Sequence, residues 1–319
     1  MKRKSGVTLF FKLQHNIKIE MLIFMIFVIA LLSGCSPKPP FVIAGHITEQ
    51  SVSTLEAYPE AEPYPYYLLK PEEYDKHNHK YPLLIFLHGA GELSDELKPV
   101  VMINGPCKKI FDFNTGTIDQ KRLKELNLYV KSSFVIYPQS SSQQSWKESI
   151  EPLISKIVSE YPVDTNRIYL TGLSLGGGAT WDMAALDPKR YAAIVPVCGY
   201  SWAIGKETLA GMPIWAFHAF DDKIVQIDST TNPILEMILG LDMDSLMKNY
   251  PHQNDNMLKP ADKDLIISFN KGGDAKWRED ISNPAGQVNY TLYKNGGHDS
   301  WSRAYDTEAM WKWLYNQSR

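Results

Sequence analysis

A serine hydroxyl is a weak nucleophile at neutral pH. It reacts when a base lies within hydrogen-bond reach, an acid orients that base, and fixed donors await the oxyanion. The segment RIYLTGLSLGGGATW, Arg167–Trp181, puts Ser174 among glycines where strand-favouring residues give way to helix-compatible ones. Two local structures suit that pattern. One is an ordinary strand-to-helix turn; the other is a sharp elbow that projects the Ser174 hydroxyl from the end of a sheet. The test is whether partners appear at other strand ends. IWAFHAFDDKIV places Asp221 and Asp222 just past an apolar run, and LYKNGGHDSW places His298 in a glycine-rich loop past another. FLHGAGE sets His88, Gly89, Ala90 and Gly91 at the end of an earlier run. The N–H of Ala90 and that of Leu175, the residue after the serine, are the candidate oxyanion donors.

These residues need a scaffold, and the chain supplies alternating elements. YPYYLLK, YPLLIFLHGAGE, SFVIYPQ, RIYLTG, YAAIVPVCGY, MPIWAFHAFDD and QVNYTLYKNGGH have strand character. SWKESIEPLISKIVSEY, GGATWDMAAL and SRAYDTEAMWKWLYNQ have helical spacing. Several strand runs are continuously apolar, as strands buried on both faces are. The alternation predicts an α/β fold: a mostly parallel central sheet with helices on both faces. Residues 228–287 do not fit it. They carry Pro, Asn and Asp throughout and only the short helical patterns NPILEMILG and DSLMKNY. This stretch is expected to be an insertion before the last strand, resting Ile234, Leu235, Met237, Ile238, Leu239, Leu246 and Met247 on the pocket rim as a partial lid. A plain surface excursion is the alternative.

Other side chains suit blander roles. His46, His77, His79 and His252 have no strand-end setting. His88 and His218 suit packing beneath the oxyanion and acid loops. Glu92 suits either a partner supporting the site or a solvated loop acid. His77-Asn78-His79 has no accompanying carboxylate or cysteine cluster, so no metal is expected, and the chemistry requires no cofactor. Trp146, Trp202 and Trp301 fall in loops at strand ends, where they would offer flat faces to an aromatic acyl group or a sugar; packing under loops is the equal alternative.

The bulk numbers suit one large domain or two small ones: 319 residues, 44% hydrophobic and 22% charged. The N-terminus stands apart. Lys2, Arg3, Lys4, Lys12 and Lys18 face one acid, Glu20, and the apolar MLIFMIFVIALLSGC follows. That run has the length of a secretory signal rather than of a membrane span. LLSGC resembles the lipobox of bacterial lipoproteins. The resemblance implies cleavage before Cys35, a lipid on Cys35, and anchoring to a bacterial membrane outside the cytoplasm, at the outer membrane or cell surface. An ordinary signal peptide or an uncut anchor is the alternative. The expected organisation is a signal peptide over 1–34, a tether and N-terminal segment over 35–56 and a catalytic domain over 57–319. Without residues 1–34 the chain keeps 28 basic against 35 acidic residues. An acidic domain lacking a basic run is a poor nucleic-acid partner. Cys107 and Cys198 are far apart in sequence and are expected to be free thiols.

LHGAGE, YPQ with a following Trp, RIYLTGLSLGG, AAIVPVCGY, FHAFDDKIV and GGHDSWSRAYD together resemble an α/β-hydrolase of the esterase kind. The likeness is to dienelactone hydrolases, the polyhydroxybutyrate-depolymerase and feruloyl-esterase group, and the "predicted peptidase" lipoproteins, from about Tyr64 to Asn316. Serine, acid and histidine follow one another in that family's order. In these families the acid lies four residues after a histidine and is followed by a pattern like KIV, which selects Asp222 over Asp221; Ala219 departs from the usual glycine. The resemblance implies a serine esterase with Ser174 as nucleophile, His298 as base and Asp222 as acid. It points towards feruloyl or acetyl esters on plant polysaccharides. A prolyl-oligopeptidase-like peptidase would have the same triad, but such enzymes carry a propeller domain, for which 285 residues after cleavage leave no room. A non-catalytic carbohydrate-binding lipoprotein would be expected to have lost a triad member.

Overall fold

The computed structural model describes residues 54–71, 79–98, 102–114, 116–117, 128–142, 145–248, 264–269, 275 and 277–319. All of them lie within one compact unit, His46–Arg319. The expected signal segment and Cys35, and with them most of the expected tether, fall outside the described residues. Among the described residues no helix is long and apolar enough to cross a membrane.

Ten strands form one sheet: β1 Thr54–Tyr58, β2 Tyr66–Lys70, β3 Tyr81–Leu87, β4 Phe134–Pro138, β5 Val163–Leu173, β6 Ala193–Val197, β7 Ile214–Ala219, β8 Leu265–Phe269, β9 Trp277–Arg278 and β10 Val288–Tyr293. Their spatial order is 1-2-4-3-5-6-7-10-8-9. Strands β4, β3, β5, β6, β7 and β10 run parallel to one another. β2 joins β4 antiparallel, as β1 joins β2. The parallel middle follows from helical crossovers. Helix α1 (Ser145–Glu160) links β4 to β5, α2 (Leu175–Leu186) links β5 to β6, and α3 (Thr231–Leu239) follows β7. Helices α4 (Trp301–Asp306) and α5 (Glu308–Tyr315) follow β10.

Successive residues of β3 go to opposite faces, as a pleated strand requires. Leu83, Ile85 and Leu87 join an apolar layer with Ile150, Leu153, Ile154 and Ile157 of α1. Leu84 and Phe86 join the other layer with Trp311 and Leu314 of α5. The sheet is therefore covered on both sides, and its parallel strands are apolar almost throughout.

The stretch over 228–287 differs from expectation. Ile234, Leu235 and Ile238 of α3, and Met243 and Met247 beyond it, are buried in the first layer rather than set on a pocket rim. Met237 is 45% exposed and points away from that layer. LIISF, read as part of an irregular excursion, is β8: it pairs antiparallel with β10 and carries β9 on its other side. A five-residue apolar run amid polar sequence has no periodicity long enough to announce a strand; tertiary pairing with β10 creates it.

Candidate active site

The elbow at the end of β5 is real and strained. Ser174 has φ +50° and ψ −113°, a backbone conformation unusual for a residue with a side chain. The flanking glycines permit it by allowing close approach. A Cβ on Gly172 would lie 2.4 Å from the carbonyl oxygen of Gly176, and one on Gly176 would lie 2.0 Å from that of Leu87. Helix α2 can therefore start directly against the ends of β5 and β3, with Ser174 at its mouth.

Three loops converge there. The Ser174 hydroxyl is 2.8 Å from His298 Nε2, and His298 Nδ1 is 2.8 Å from Asp222 Oδ2. The histidine arrives on a loop after β10 in which Gly296 and Gly297 have φ of +139° and +58°. The carboxylate arrives just after β7, with its side chain sealed from solvent. Its Oδ1 accepts the N–H groups of Ile224 and Val225 at 2.8 and 2.9 Å. The acid is thus fixed by its own loop before it meets the histidine. Burial works to raise the Asp222 carboxyl. Hydrogen bonds from His218 and His298, with the attraction of the His298 ring and the Val225 N–H, outweigh it and hold the group well below the ordinary carboxylate range.

His218, read as packing beneath the acid loop, is fully buried there and does more than fill space. Its Nε2 faces two acceptors, Asp222 Oδ2 at 3.1 Å and the Val225 carbonyl at 2.7 Å, so that nitrogen carries the proton. Its Nδ1 then accepts from Thr231 Oγ1 at 2.8 Å. His88 plays the matching part under the 89–92 loop. Its Nδ1 donates to the Gly89 carbonyl at 2.8 Å and its Nε2 accepts the Ser140 N–H at 3.0 Å. Burial pushes His88 down to about 4, against a smaller opposing effect of the Gly89 hydrogen bond.

Ala90 opens a 3-10 turn over Ala90–Glu92 and Leu175 opens α2. The N–H of a residue that opens a helical turn has no acceptor within that turn. The Gly89 loop stands close to the serine, since a Cβ on Gly89 would be 3.7 Å from Ser174 Cβ.

The three tryptophans separate. Trp146 is fully buried, edge-on to His88 at 5.0 Å and beside Tyr64 at 5.6 Å. It packs against His88 from below and offers no face to a ligand, which corrects the expectation of a rim position. Position just past a strand does not reveal which way an indole turns; Trp146, the second residue of α1, turns into the core. Trp202 is 46% exposed and edge-on to Tyr200 at 5.3 Å. Its loop lies near the mouth of α2, because a Cβ on Gly178 would be 2.0 Å from the Tyr200 carbonyl oxygen. Trp301 packs edge-on to the His298 ring at 5.4 Å, and its Nε1 donates to Asn104 Oδ1 at 3.1 Å. Asn104 escaped the sequence reading, as did the contact of Asp221 with Gly297. The only signals were an Asn-Gly turn and a doubled aspartate, and neither specifies a partner.

Cys107 and Cys198 are free and buried. Among the described residues no group of three or more His, Cys, Asp and Glu side chains is placed to hold a metal ion.

No family model matches the chain. A curated relative, the bifunctional acetylxylan esterase/xylanase XynS20E of Neocallimastix patriciarum, is 24% identical over 153 residues. That match covers 43% of this chain and 23% of the relative, so the chain spans under a quarter of that protein's length. Among solved structures, a thermostable esterase aligns with a TM-score of 0.55 and 26% identity, over 83% of this chain and 63% of the other. The acetyl xylan esterase of Aspergillus awamori gives 0.50 and 15%, over 82% and 99%. A mutant of the feruloyl esterase module from Clostridium thermocellum, complexed with sinapinate, gives 0.52 and 13%, over 88% and 97%. With its parallel sheet, its serine elbow and these neighbours, the chain has the α/β-hydrolase fold, in a form that solved esterases share.

Proposed function

We propose that the protein is a serine hydrolase of carboxylic esters, with Ser174, His298 and Asp222 as its catalytic triad. The observation that carries this reading is the unbroken line from hydroxyl to imidazole to carboxylate, 2.8 Å at each step. Ser174 Oγ attacks the ester carbonyl while His298 Nε2 takes its proton. Asp222 holds the Nδ1–H tautomer and stabilises the imidazolium that forms. The N–H groups of Ala90 and Leu175 receive the oxyanion. Collapse of the tetrahedral intermediate expels the alcohol, which takes the proton from His298. Water activated by the same base then clears the acyl group from Ser174.

The substrate class we favour is feruloyl or acetyl esters on plant polysaccharides. The names of the relative and of two structural neighbours support that choice. Trp202, half exposed beside the mouth of α2, and Trp301, against the base, are suited to an aromatic acyl group or a sugar ring. We further propose that the chain is exported and held to a bacterial membrane by a lipid on Cys35, on the strength of LLSGC after an apolar run.

The decisive experiment is a panel of p-nitrophenyl, feruloyl and acetyl-xylan esters with a peptide amide as control. It is combined with fluorophosphonate labelling of the parent and Ser174→Ala. Turnover of esters, and an adduct on Ser174, are expected; an adduct elsewhere, or preference for the amide, overturns the reading. Loss of palmitate-analogue labelling in Cys35→Ala is the expected sign of the anchor, and persistent labelling refutes it.

A further inference from the structure

Glu92, Asn104 and Trp301 are linked in a way that the triad does not require. Trp301 Nε1 donates to Asn104 Oδ1 at 3.1 Å, and Asn104 Nδ2 donates to Glu92 Oε1 at 3.0 Å. At one end the Trp301 ring meets the His298 ring nearly at right angles, 87°, with centroids 5.4 Å apart. At the other end Glu92 closes the 3-10 turn that Ala90 opens. Its carboxyl is only slightly exposed, and its backbone N–H donates to the Gly89 carbonyl at 3.3 Å. A Cβ on Gly89 would stand 3.0 Å from Glu92 Oε2 as well as 3.7 Å from Ser174 Cβ. The carboxyl is therefore pressed against the oxyanion loop where that loop passes the nucleophile.

We propose that Glu92, Asn104 and Trp301 are positioning residues that lock the oxyanion loop to the His298 loop, so that base and oxyanion donor keep a fixed separation. The inference rests on the triad reading above. The chemistry of the link is specific. An ionised carboxylate only accepts and an indole N–H only donates, so the bridge between them must present a donor to one and an acceptor to the other. A planar amide does both at once, and only one orientation of Asn104 satisfies both partners. The turn holding it packs closely on the core: Gly105 has φ +81°, and a Cβ there would sit 2.3 Å from the Phe86 ring. The lock has something to restrain, because His298 follows two glycines of positive φ. Displacement of a catalytic group by about 1 Å costs on the order of 100-fold in rate.

The test uses the full chain with p-nitrophenyl acetate. Asn104→Leu, similar in size and without hydrogen bonds, is expected to lower kcat by roughly 10- to 100-fold while KM changes less than about threefold. Glu92→Gln and Trp301→Phe should each lower kcat, and together cost less than the product of their separate effects. In the Asn104→Leu background their effects should simply multiply. A second readout is the ¹⁵N–¹H resonance of the Trp301 indole, assigned by its loss in Trp301→Phe. It should move in both Asn104→Leu and Glu92→Gln. An unchanged kcat in Asn104→Leu, or effects that multiply equally in both backgrounds, overturns the positioning role. A resonance indifferent to Glu92→Gln overturns the link itself. A parent chain that neither hydrolyses esters nor takes up fluorophosphonate at Ser174 instead removes the triad reading, and the proposal with it; the indole resonance then still decides whether the link exists.

Discussion

Asp221 Oδ1 accepts the N–H of Gly297 at 2.9 Å, one residue before the histidine whose ring Asp222 holds. Two adjacent carboxylates thus hold one histidine, Asp222 through the imidazole and Asp221 through the backbone of its loop. Their substitutions should differ in kind. Asp222→Asn disturbs the tautomer and is expected to lower kcat by at least about three orders of magnitude. Asp221→Asn keeps an oxygen for Gly297 and should cost less than about threefold, whereas Asp221→Ala frees the loop and should cost about tenfold. Steady-state kinetics on the three variants decides; a large loss in Asp221→Asn would reverse the assignment of the acid.

His218→Phe keeps an aromatic ring of similar size and removes every hydrogen bond of the imidazole. Asp222 Oδ2, the Val225 carbonyl and the Thr231 hydroxyl each lose a partner in a sealed site. Each unsatisfied group costs about 1–3 kcal/mol, so urea melts should show a loss of at least about 2 kcal/mol. The Asp222 carboxyl should also rise, because one of the hydrogen bonds that hold it down is gone. Direct titration of the Asp222 carboxyl by ¹³C NMR is expected to show that rise. A variant that melts and titrates like the parent would reduce His218 to packing.

His88 gives the fold a pH dependence with a definite sign. Its folded value, about 4, lies below the ordinary 6.5. Between those values the unfolded chain binds a proton that the folded one refuses, so stability present at neutral pH is lost as pH falls through that window. Protonation would set an Nε2–H against the Ser140 N–H it now accepts. The ceiling is roughly 3 kcal/mol. Glu92, raised by burial, acts in the opposite sense, so the measurement is a comparison. Denaturant midpoints from pH 7 to pH 4.5 should fall more steeply for the parent than for His88→Gln. Parallel curves would remove His88 as the source.

Excision of residues 228–287 should unfold the chain rather than retune it. Ile267 of β8 is fully buried and pairs with Tyr290 of β10. Asp264 accepts the Lys294 N–H and binds Arg303, which lies over the Tyr293 ring. Ile267→Ala alone should cost about 2–5 kcal/mol in urea. A linker variant that melts with the parent would restore the view of this stretch as dispensable.

The sequence made the parallel strands legible because burial on both faces leaves continuous apolar runs, as YPLLIFL and AAIVPV do. It made the meeting of Ser174, Asp222 and His298 legible because each ends such a run, and parallel strands bring their ends together. What it hid depends on direction and on partners. Trp146 and Trp202 occupy similar places in sequence, yet one is sealed in the core and the other stands in solvent. LIISF acquires its strand only from β10, some twenty residues later. Asn104 comes from a turn far from every motif, and nothing in MINGP points to an indole nearly two hundred residues away.

The continuation of the sheet past β10 also bears on how copies of this chain meet. An outermost strand displays unpaired amides and carbonyls that can template a strand from another molecule. β10, which leads into the His298 loop, is spared that role because β7 and β8 occupy both of its sides. The outermost described strand at that end, β9, has only two residues. Its side chains are turned inward: Trp277 Nε1 donates to the Leu246 carbonyl and Arg278 to Ser268 Oγ. A two-residue border offers little register for intermolecular pairing, so this end of the sheet is guarded against strand addition by the stretch that sequence alone left irregular.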